Sequence, residues 1–239
     1  MKNICTILTD DWIDKHGVRW VRYVNDYLPD WKKYLFSIGG DLGPEYKPFL
    51  DEFDGIVTLA PQGRPQFNRI RMSATKYFGV DDIIFCDADA DIIGSLDEIA
   101  DLVGDNTLGL VDSPALHKDW VALCTEHEWE PWEANNGLLY LSDDWGKRYD
   151  EAVKAVEGKA NPRIEGTAAF NYMLRENEGY ARLPYEYGVI WWDSASFVGA
   201  KVVQYCNDNG QAKREMMEAE YRASVVPKED ELARGGEAL

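Results

Sequence analysis

In the segment DDIIFCDADADIIGSLDEI (81–99), an apolar run leads into three aspartates at alternate positions, Asp87, Asp89 and Asp91. Carboxylates this close repel one another, so the pattern implies something positive among them. On an extended segment alternate side chains point the same way, which lets Asp87 and Asp89 converge on one ion. Three cation chemistries share this local signature.

The first is a calcium loop of the EF-hand type, which wants acidic or amide ligands at positions 1, 3 and 5, Gly at 6 and Glu at 12. Asp87, Asp89, Asp91 and Glu98 satisfy four of these, but position 6 is Ile92, and the preceding DIIFC reads as a buried strand where an EF-hand has a helix. Glu98 has a plainer explanation as the last member of SLDE, a capping box that starts a helix at Ser95. The second is the phosphatase chemistry of haloacid dehalogenase-like enzymes. Asp87 would attack phosphorus, Asp89 would shuttle the proton, and Asp143 with Asp144 after GLLYLS would hold magnesium. That motif sits on the first strand of its fold, whereas here three strands come earlier. The third is the D-x-D of a nucleotide-sugar glycosyltransferase, in which two carboxylates hold a divalent cation, Mn2+ or Mg2+, that stabilises a departing diphosphate. A solvated turn or a helix cap is the bland alternative, and it suits Asp97 best.

The elements around this cluster follow from hydrophobic periodicity. NICTIL (3–8) reads as a strand, and Val18, Val21, Val24 and Leu28 recur at helical spacing after it. KYLFSI (33–38) and GIVTLA (55–60) are two more strands. RPQFNRIRMSATKYFG (64–79) reads as a helix with Pro65 in its first turn and Gly79 at its end. The strand DIIFC follows, then TLGLV (107–111) and GLLYL (137–141), with helices at 143–156 and 165–177. Strands alternating with helices predict an α/β fold, a largely parallel sheet covered on both faces. Ligands in such sheets bind beyond the carboxyl ends of the strands, where the aspartates fall.

The 239 residues, 45% of them hydrophobic, suffice for one large domain, expected over 1–210, with an amphipathic helix and flexible tail over 211–239. A formal charge of −18 argues against a nucleic-acid partner, because polyanion binding rests on clustered Lys and Arg. Four scattered cysteines, Cys5, Cys86, Cys124 and Cys206, show no metal-ligand spacing and read as reduced thiols, which points to a cytoplasmic setting. No stretch approaches the length of a membrane span.

The order of features up to about residue 202 resembles the GT-A fold, and most closely the family 8 glycosyltransferases, the group of glycogenin and the bacterial galactosyltransferases. FCDADADIIGSLDEI matches that family's D-x-D strand and short helix, and ANNGLLYL (134–141) matches its next motif. The resemblance implies transfer of a hexose from a UDP-sugar, UDP-glucose or UDP-galactose, with retention of configuration, to an unidentified glycan or small-molecule acceptor. It places Asp87 and Asp89 on the metal, Ala88 between them at the nucleotide, and Thr9, Asp10 and Asp11 at the nucleoside. Arg71, with Arg69 close behind, and Lys201 would face the phosphates; Asn135 and Asn136 would meet sugar hydroxyls.

The chain also departs from the family. Glu165 stands near where the family has Asp-Gln, and Ser196 replaces a metal-binding His, so Asp193 is the candidate for the vacant ligand position. Asn136, Glu165 and Asp193 are therefore the candidate catalytic residues. Trp120, Trp129 and Trp132 could stack on an acceptor sugar or simply pack a lid against the sheet, and Trp191 and Trp192 carry the same two readings. Two further readings remain: the phosphatase, and a GT-A-like module that binds a nucleotide or sugar without transferring it.

Overall fold

The computed structural model describes residues 2–9, 12–39, 42–60, 64–114, 116–159, 165–192, 197–206 and 210–216. Strand β1 (Asn3–Thr9) is followed by a π-helical turn (Ile13–Gly17) that runs into α1 (Val18–Tyr27), then β2 (Lys32–Ile38), α2 (Lys47–Leu50) and β3 (Gly55–Leu59). Next come α3 (Arg64–Arg71), α4 (Ala74–Phe78), β4 (Ile83–Cys86), β5 (Ala90–Ile92), α5 (Ile99–Val103), β6 (Leu108–Asp112) and α6 (Lys118–Glu126). The chain continues through β7 (Ala134–Leu141), α7 (Gly146–Val156), α8 (Glu165–Glu176), β8 (Tyr180–Leu183), β9 (Val189–Ile190) and β10 (Val202–Gln204).

Seven strands form one sheet in the order β3-β2-β1-β4-β7-β6-β8. Within it β7 alone runs against its neighbours β4 and β6; every other pairing is parallel. The alternation of strands and helices thus yields the expected mostly parallel α/β sheet. A smaller sheet, β5-β10-β9, sits beside it.

The strands show little inside-outside alternation because both faces are covered, and successive residues feed two different cores. Cys5, Phe85 and Leu139 pack on one side with Phe36, Trp145 and Phe170, while Ile4, Ile84 and Leu138 pack on the other with Trp20, Val24 and Ile99. Helix α1 contributes Trp20, Val21 and Val24, with Leu28 just beyond its end, to the second core. Val18, expected on that stripe, is exposed, because the buried arc is centred on Trp20 and Val24.

The helix expected over 64–79 is broken at Met72 and Ser73. The Met72 carbonyl accepts the Trp145 N–H, and Ser73 Oγ donates to Asp144, so contacts from the start of α7 replace the helix's own ladder there. Gly79 closes α4 in the left-handed conformation at φ 65°, as its position predicts. The capping box at Ser95 does not form. Ser95 Oγ accepts the Asp97 N–H in a local turn, the helix starts only at Ile99, and Glu98 instead accepts from the Tyr187 hydroxyl.

Residues 210–216 are helical, and Arg214, 2% exposed, ties this segment to Asp91 in β5 and to His16 in the π-helical turn. The tail expected beyond it lies outside the described residues. Arg19 donates to the same aspartate at 2.5 and 3.0 Å, so Asp91 carries two guanidinium partners. Arg214 Nη1 donates to His16 Nδ1 at 3.1 Å. Burial, and then the Arg214 charge, hold the His16 imidazole down from 6.5 to about 4. The unfolded chain therefore binds a proton here at a pH where the folded chain does not. Stability should fall as pH drops from about 6.5 to about 4, by up to about 1.4 kcal/mol per unit, and show no further loss from this group below that. Urea unfolding at pH 7.5 and pH 5 should show that loss in the wild type and a smaller one in His16→Gln; equal losses in the two would contradict the assignment.

All four cysteines are free thiols. Among the described residues no helix is long and apolar enough to cross a membrane.

Candidate active site

Strand β4 ends at Cys86, one residue before Asp87. The chain then turns: the Ala90 N–H bonds back to the Asp87 carbonyl at 3.1 Å, so Asp87 to Asp89 are not the extended segment expected from their spacing. Two neighbours clamp this turn. The Asp87 N–H donates to the Gly137 carbonyl in β7 at 2.8 Å, and the Tyr205 N–H just after β10 donates to the Asp89 carbonyl at 3.0 Å. Ala88 is buried in the cluster of Leu8, Ile13 and Leu35. The turn, not the pleat, directs Asp87 and Asp89 into one cavity of about 690 Å³. Asp91 faces the interior instead, between Arg19 and Arg214, which removes the third carboxylate of a calcium loop.

The reversal of β7 decides what else reaches this cavity. Because β7 is antiparallel to β4, its first residues stand at the carboxyl end of β4, and Asn135 and Asn136 line the cavity. They do not form the tight turn that Asn-Asn-Gly suggests. Pairing with β6 jumps from Leu110↔Leu139 to Val111↔Asn135, a bulge that re-aims side chains at the sheet end. Asn135 donates to Gln204 Oε1 at 2.9 Å while its own Oδ1 accepts the Gly137 N–H, and Asn136 donates to Asn68 at 3.2 Å. The Gln204 amide lies close over Gly137, where an added Cβ would stand 2.5 Å from it. Gly137→Ala should therefore displace that amide, lowering stability by about 1–3 kcal/mol and turnover more than tenfold; thermal melting and turnover with unchanged values would contradict this placement.

The same reversal puts Asp143 and Asp144 at the opposite edge of the sheet. Asp144 accepts from Ser73 Oγ and the Gly146 N–H and pairs with Lys76, in a separate depression shared with Asp143. The phosphatase reading needed both beside Asp87, so the topology removes it.

Arg71 stands at the cavity's edge. Its Nη2 lies 2.7 Å from Asp87, Nη1 donates to the Asn136 carbonyl at 3.3 Å, and the guanidinium lies over the Phe85 ring. Burial pushes the Asp87 carboxyl up to about 7, against the pull of Arg71 and with help from Asp89; burial raises Asp89 as well. Two carboxylates that resist ionisation where they stand form a donor set suited to a divalent cation. Among the described residues no group of three or more His, Cys, Asp or Glu is placed to hold a metal, so these two carboxylates are the donors the described residues offer, and Asp193 lies outside them. Mg2+-type sites on substrate phosphates commonly use one or two carboxylates, so the pair fits the cation.

Other expected site residues are placed differently. Lys201 does not line the cavity; its ammonium lies 3.8 Å from Glu98 and its N–H donates to the Glu186 carbonyl. Arg69 binds Asp150. Thr9 ends β1 half-buried, outside the cavity lining. Glu165 opens α8, but Thr167, two residues on, is the one that reaches the cavity. Asp10, Asp11, Asp193 and Ser196 lie outside the described residues. Trp120 is fully buried, Trp129 stacks on His127, and Trp132 stacks on Tyr180, so these three pack the structure rather than line the cavity; exposed Trp192 does line it.

Thr167 belongs to the EGT segment that stands near the family's Asp-Gln, but three other polar residues of the cavity carry no recognisable signal in the sequence: Gln204, His117 and Glu133. Glu133 is one acid among several in TEHEWEPWE, and nothing local separates it from Glu128 or Glu130.

The sequence matches no family model, and no curated protein matches it. Solved structures do match. The galactosyltransferase LgtC, in complex with donor and acceptor sugar analogs, aligns with a TM-score of 0.66 at 14% identity over 95% of this chain and 98% of that one. Mouse xyloside xylosyltransferase 1 aligns at 0.60 with 11% identity, over 87% of this chain and 98% of that one. The glycosyltransferase GlyE of Streptococcus pneumoniae also aligns at 0.60, with 16% identity, over 87% of this chain and 56% of that one. At these identities the shared property is the fold.

Proposed function

We propose that this chain is a metal-dependent glycosyltransferase that moves a hexose from a UDP-sugar, UDP-glucose or UDP-galactose, to a hydroxyl acceptor. The observation that carries the reading is the pair Asp87 and Asp89, two poorly solvated carboxylates aimed into one cavity at the carboxyl end of β4, on a fold shared with glycosyltransferases. Its volume suits a small-molecule site.

Asp87 and Asp89 would hold Mn2+ or Mg2+, which when bound supplies positive charge at the diphosphate and so eases its departure. Arg71, fixed over Phe85 beside Asp87, adds a second positive charge at the same point. Gln204 is 6% exposed and its Nε2 is buried with no hydrogen-bond partner among the described residues, leaving a donor for a sugar oxygen. Thr167 offers a hydroxyl to the same cavity. Retention of configuration is carried by the family resemblance alone.

A second reading draws on the Arg71–Asp87 ion pair, which neutralises part of the motif with no metal. It describes a module that binds nucleotide without transfer. A thermal-shift titration with UDP, with and without Mn2+, separates the two, because a ligand that binds only the folded state raises the melting temperature. The transferase requires a shift that needs both components, followed by release of UDP from UDP-glucose or UDP-galactose. A shift with UDP alone and no turnover supports the module; no shift in any condition overturns both.

A further inference from the structure

His117 is the N-cap residue of α6, and its imidazole, 53% exposed, lines the same cavity. Glu133, 2% exposed, spends both carboxylate oxygens on this one residue: Oε2 accepts the His117 backbone N–H at 2.8 Å, and Oε1 lies 2.6 Å from Nδ1. An ionised carboxylate only accepts, so Nδ1 carries the proton and, in the neutral ring, Nε2 is an acceptor. A buried carboxylate committed to the orientation of a half-exposed ring is poorly explained by stability, since burying its charge is unfavourable.

The position of the pair gives it a task. Ser113 follows the end of β6, its N–H bonds to the Glu133 carbonyl, and β7 separates this end of the cavity from the Asp87–Asp89 turn. Two strand spacings put β4 and β6 about 10 Å apart, so the pair lines a different wall of the cavity from the aspartate turn. The amides of Asn135 and Asn136 between them are already engaged within the protein. Among the described residues the lining holds no Lys or Arg, and Arg71 at the cavity's edge is paired with Asp87, at the end away from His117.

Resting on the glycosyltransferase reading, we infer that His117 binds the acceptor's hydroxyl through Nε2, that Glu133 is the positioning residue that sets its tautomer, and that the acceptor is an uncharged sugar. Glu133→Gln preserves shape but inverts the chemistry. The new amide oxygen must serve the His117 N–H, its NH2 then faces Nδ1, and the ring proton moves to Nε2, where it can no longer accept.

The test uses protein labelled with 15N-histidine, loaded with diamagnetic Mg2+ and UDP, and a panel of methyl glucosides, methyl galactosides, lactose and maltose, with glucose 6-phosphate and glucuronate as anionic controls. At least one neutral sugar should shift the His117 Nε2 resonance and the anionic ones should not. Glu133→Gln and His117→Ala should weaken that sugar's binding at least tenfold, and the Glu133→Gln spectrum should report the proton on Nε2. Neutral sugars that leave His117 unmoved, or bind the variants as tightly as the wild type, overturn the assignment while wild-type hydrolysis stands. A wild type that neither binds UDP with Mn2+ nor hydrolyses either donor sinks the transferase reading and this assignment with it.

Discussion

Asp89→Asn should remove turnover of the sugar donor almost completely while raising the melting temperature of the ligand-free protein. On the transferase proposed above, Asp87 and Asp89 hold a divalent cation at a departing diphosphate; such a cation is worth several kcal/mol, and each 1.36 kcal/mol is a factor of ten, so loss of Asp89 as a ligand should lower turnover by about three orders of magnitude or more. The opposite sign for stability follows from the same geometry. Asp89 is held in a poorly solvated turn beside Asp87, and its ionised form is disfavoured there by burial. An asparagine of equal size relieves that penalty and the repulsion from Asp87, as expected where a binding site is built at the expense of stability. Thermal melts and turnover on the same preparation check both halves. A variant that keeps the UDP shift in the presence of Mn2+ would take the cation away from Asp89. A variant that loses activity through unfolding, with a lowered melting temperature, would make Asp89 structural.

Arg214→Ala should be among the most destabilising substitutions in the chain. It removes one of two guanidinium partners of the buried Asp91 and opens a space around His16 and Tyr205, over whose ring the guanidinium lies. Breaking one side of a buried charge pair destabilises by about 3–5 kcal/mol, which for a chain of this size corresponds to about 6–20 °C in melting temperature. Arg214→Met separates charge from packing, because it refills most of the volume without the charge. Urea unfolding should show the methionine variant nearly as unstable as the alanine one. Recovery to wild-type stability in the methionine variant would assign the effect to packing alone. Because Asp91 lies two residues beyond Asp89, and Tyr205 bonds the Asp89 carbonyl, both variants should also weaken UDP binding in the presence of Mn2+.

Six of the seven strands of the main sheet, the helices that follow β1 and β7, the two-sided burial of the sheet and the position of the D-x-D just past β4 were legible in the sequence, whereas β8, the small sheet β5-β10-β9 and helix α6 were not. Each is a local property: period-2 and period-3.6 patterns, glycine at a helix end, and short apolar runs between polar ones report what a segment does on its own. Even there, tertiary contacts changed details. Helix 64–79 broke where Trp145 and Asp144 took its hydrogen bonds, and the SLDE segment gave up its capping geometry when Glu98 found Tyr187.

The site itself needed the third dimension. Three aspartates at alternate positions look equivalent in sequence, yet Asp91 is separated from the other two by Arg214, 123 residues away, and by Arg19. No local rule shows which strand will run backwards, and the reversal of β7 sends Asn135 and Asn136 into the cavity and Asp143 and Asp144 out of it. Gln204 and the pair His117 and Glu133 become visible only as groups that share a wall, because charge pairing and hydrogen-bond satisfaction depend on distance in space and not along the chain. Local patterns are enough to set the layers and to put two carboxylates at a strand end, but which side chains face them depends on the folded chain, because those neighbours come from β7, α8, β9, β10 and the start of α6, brought together at one end of the strands.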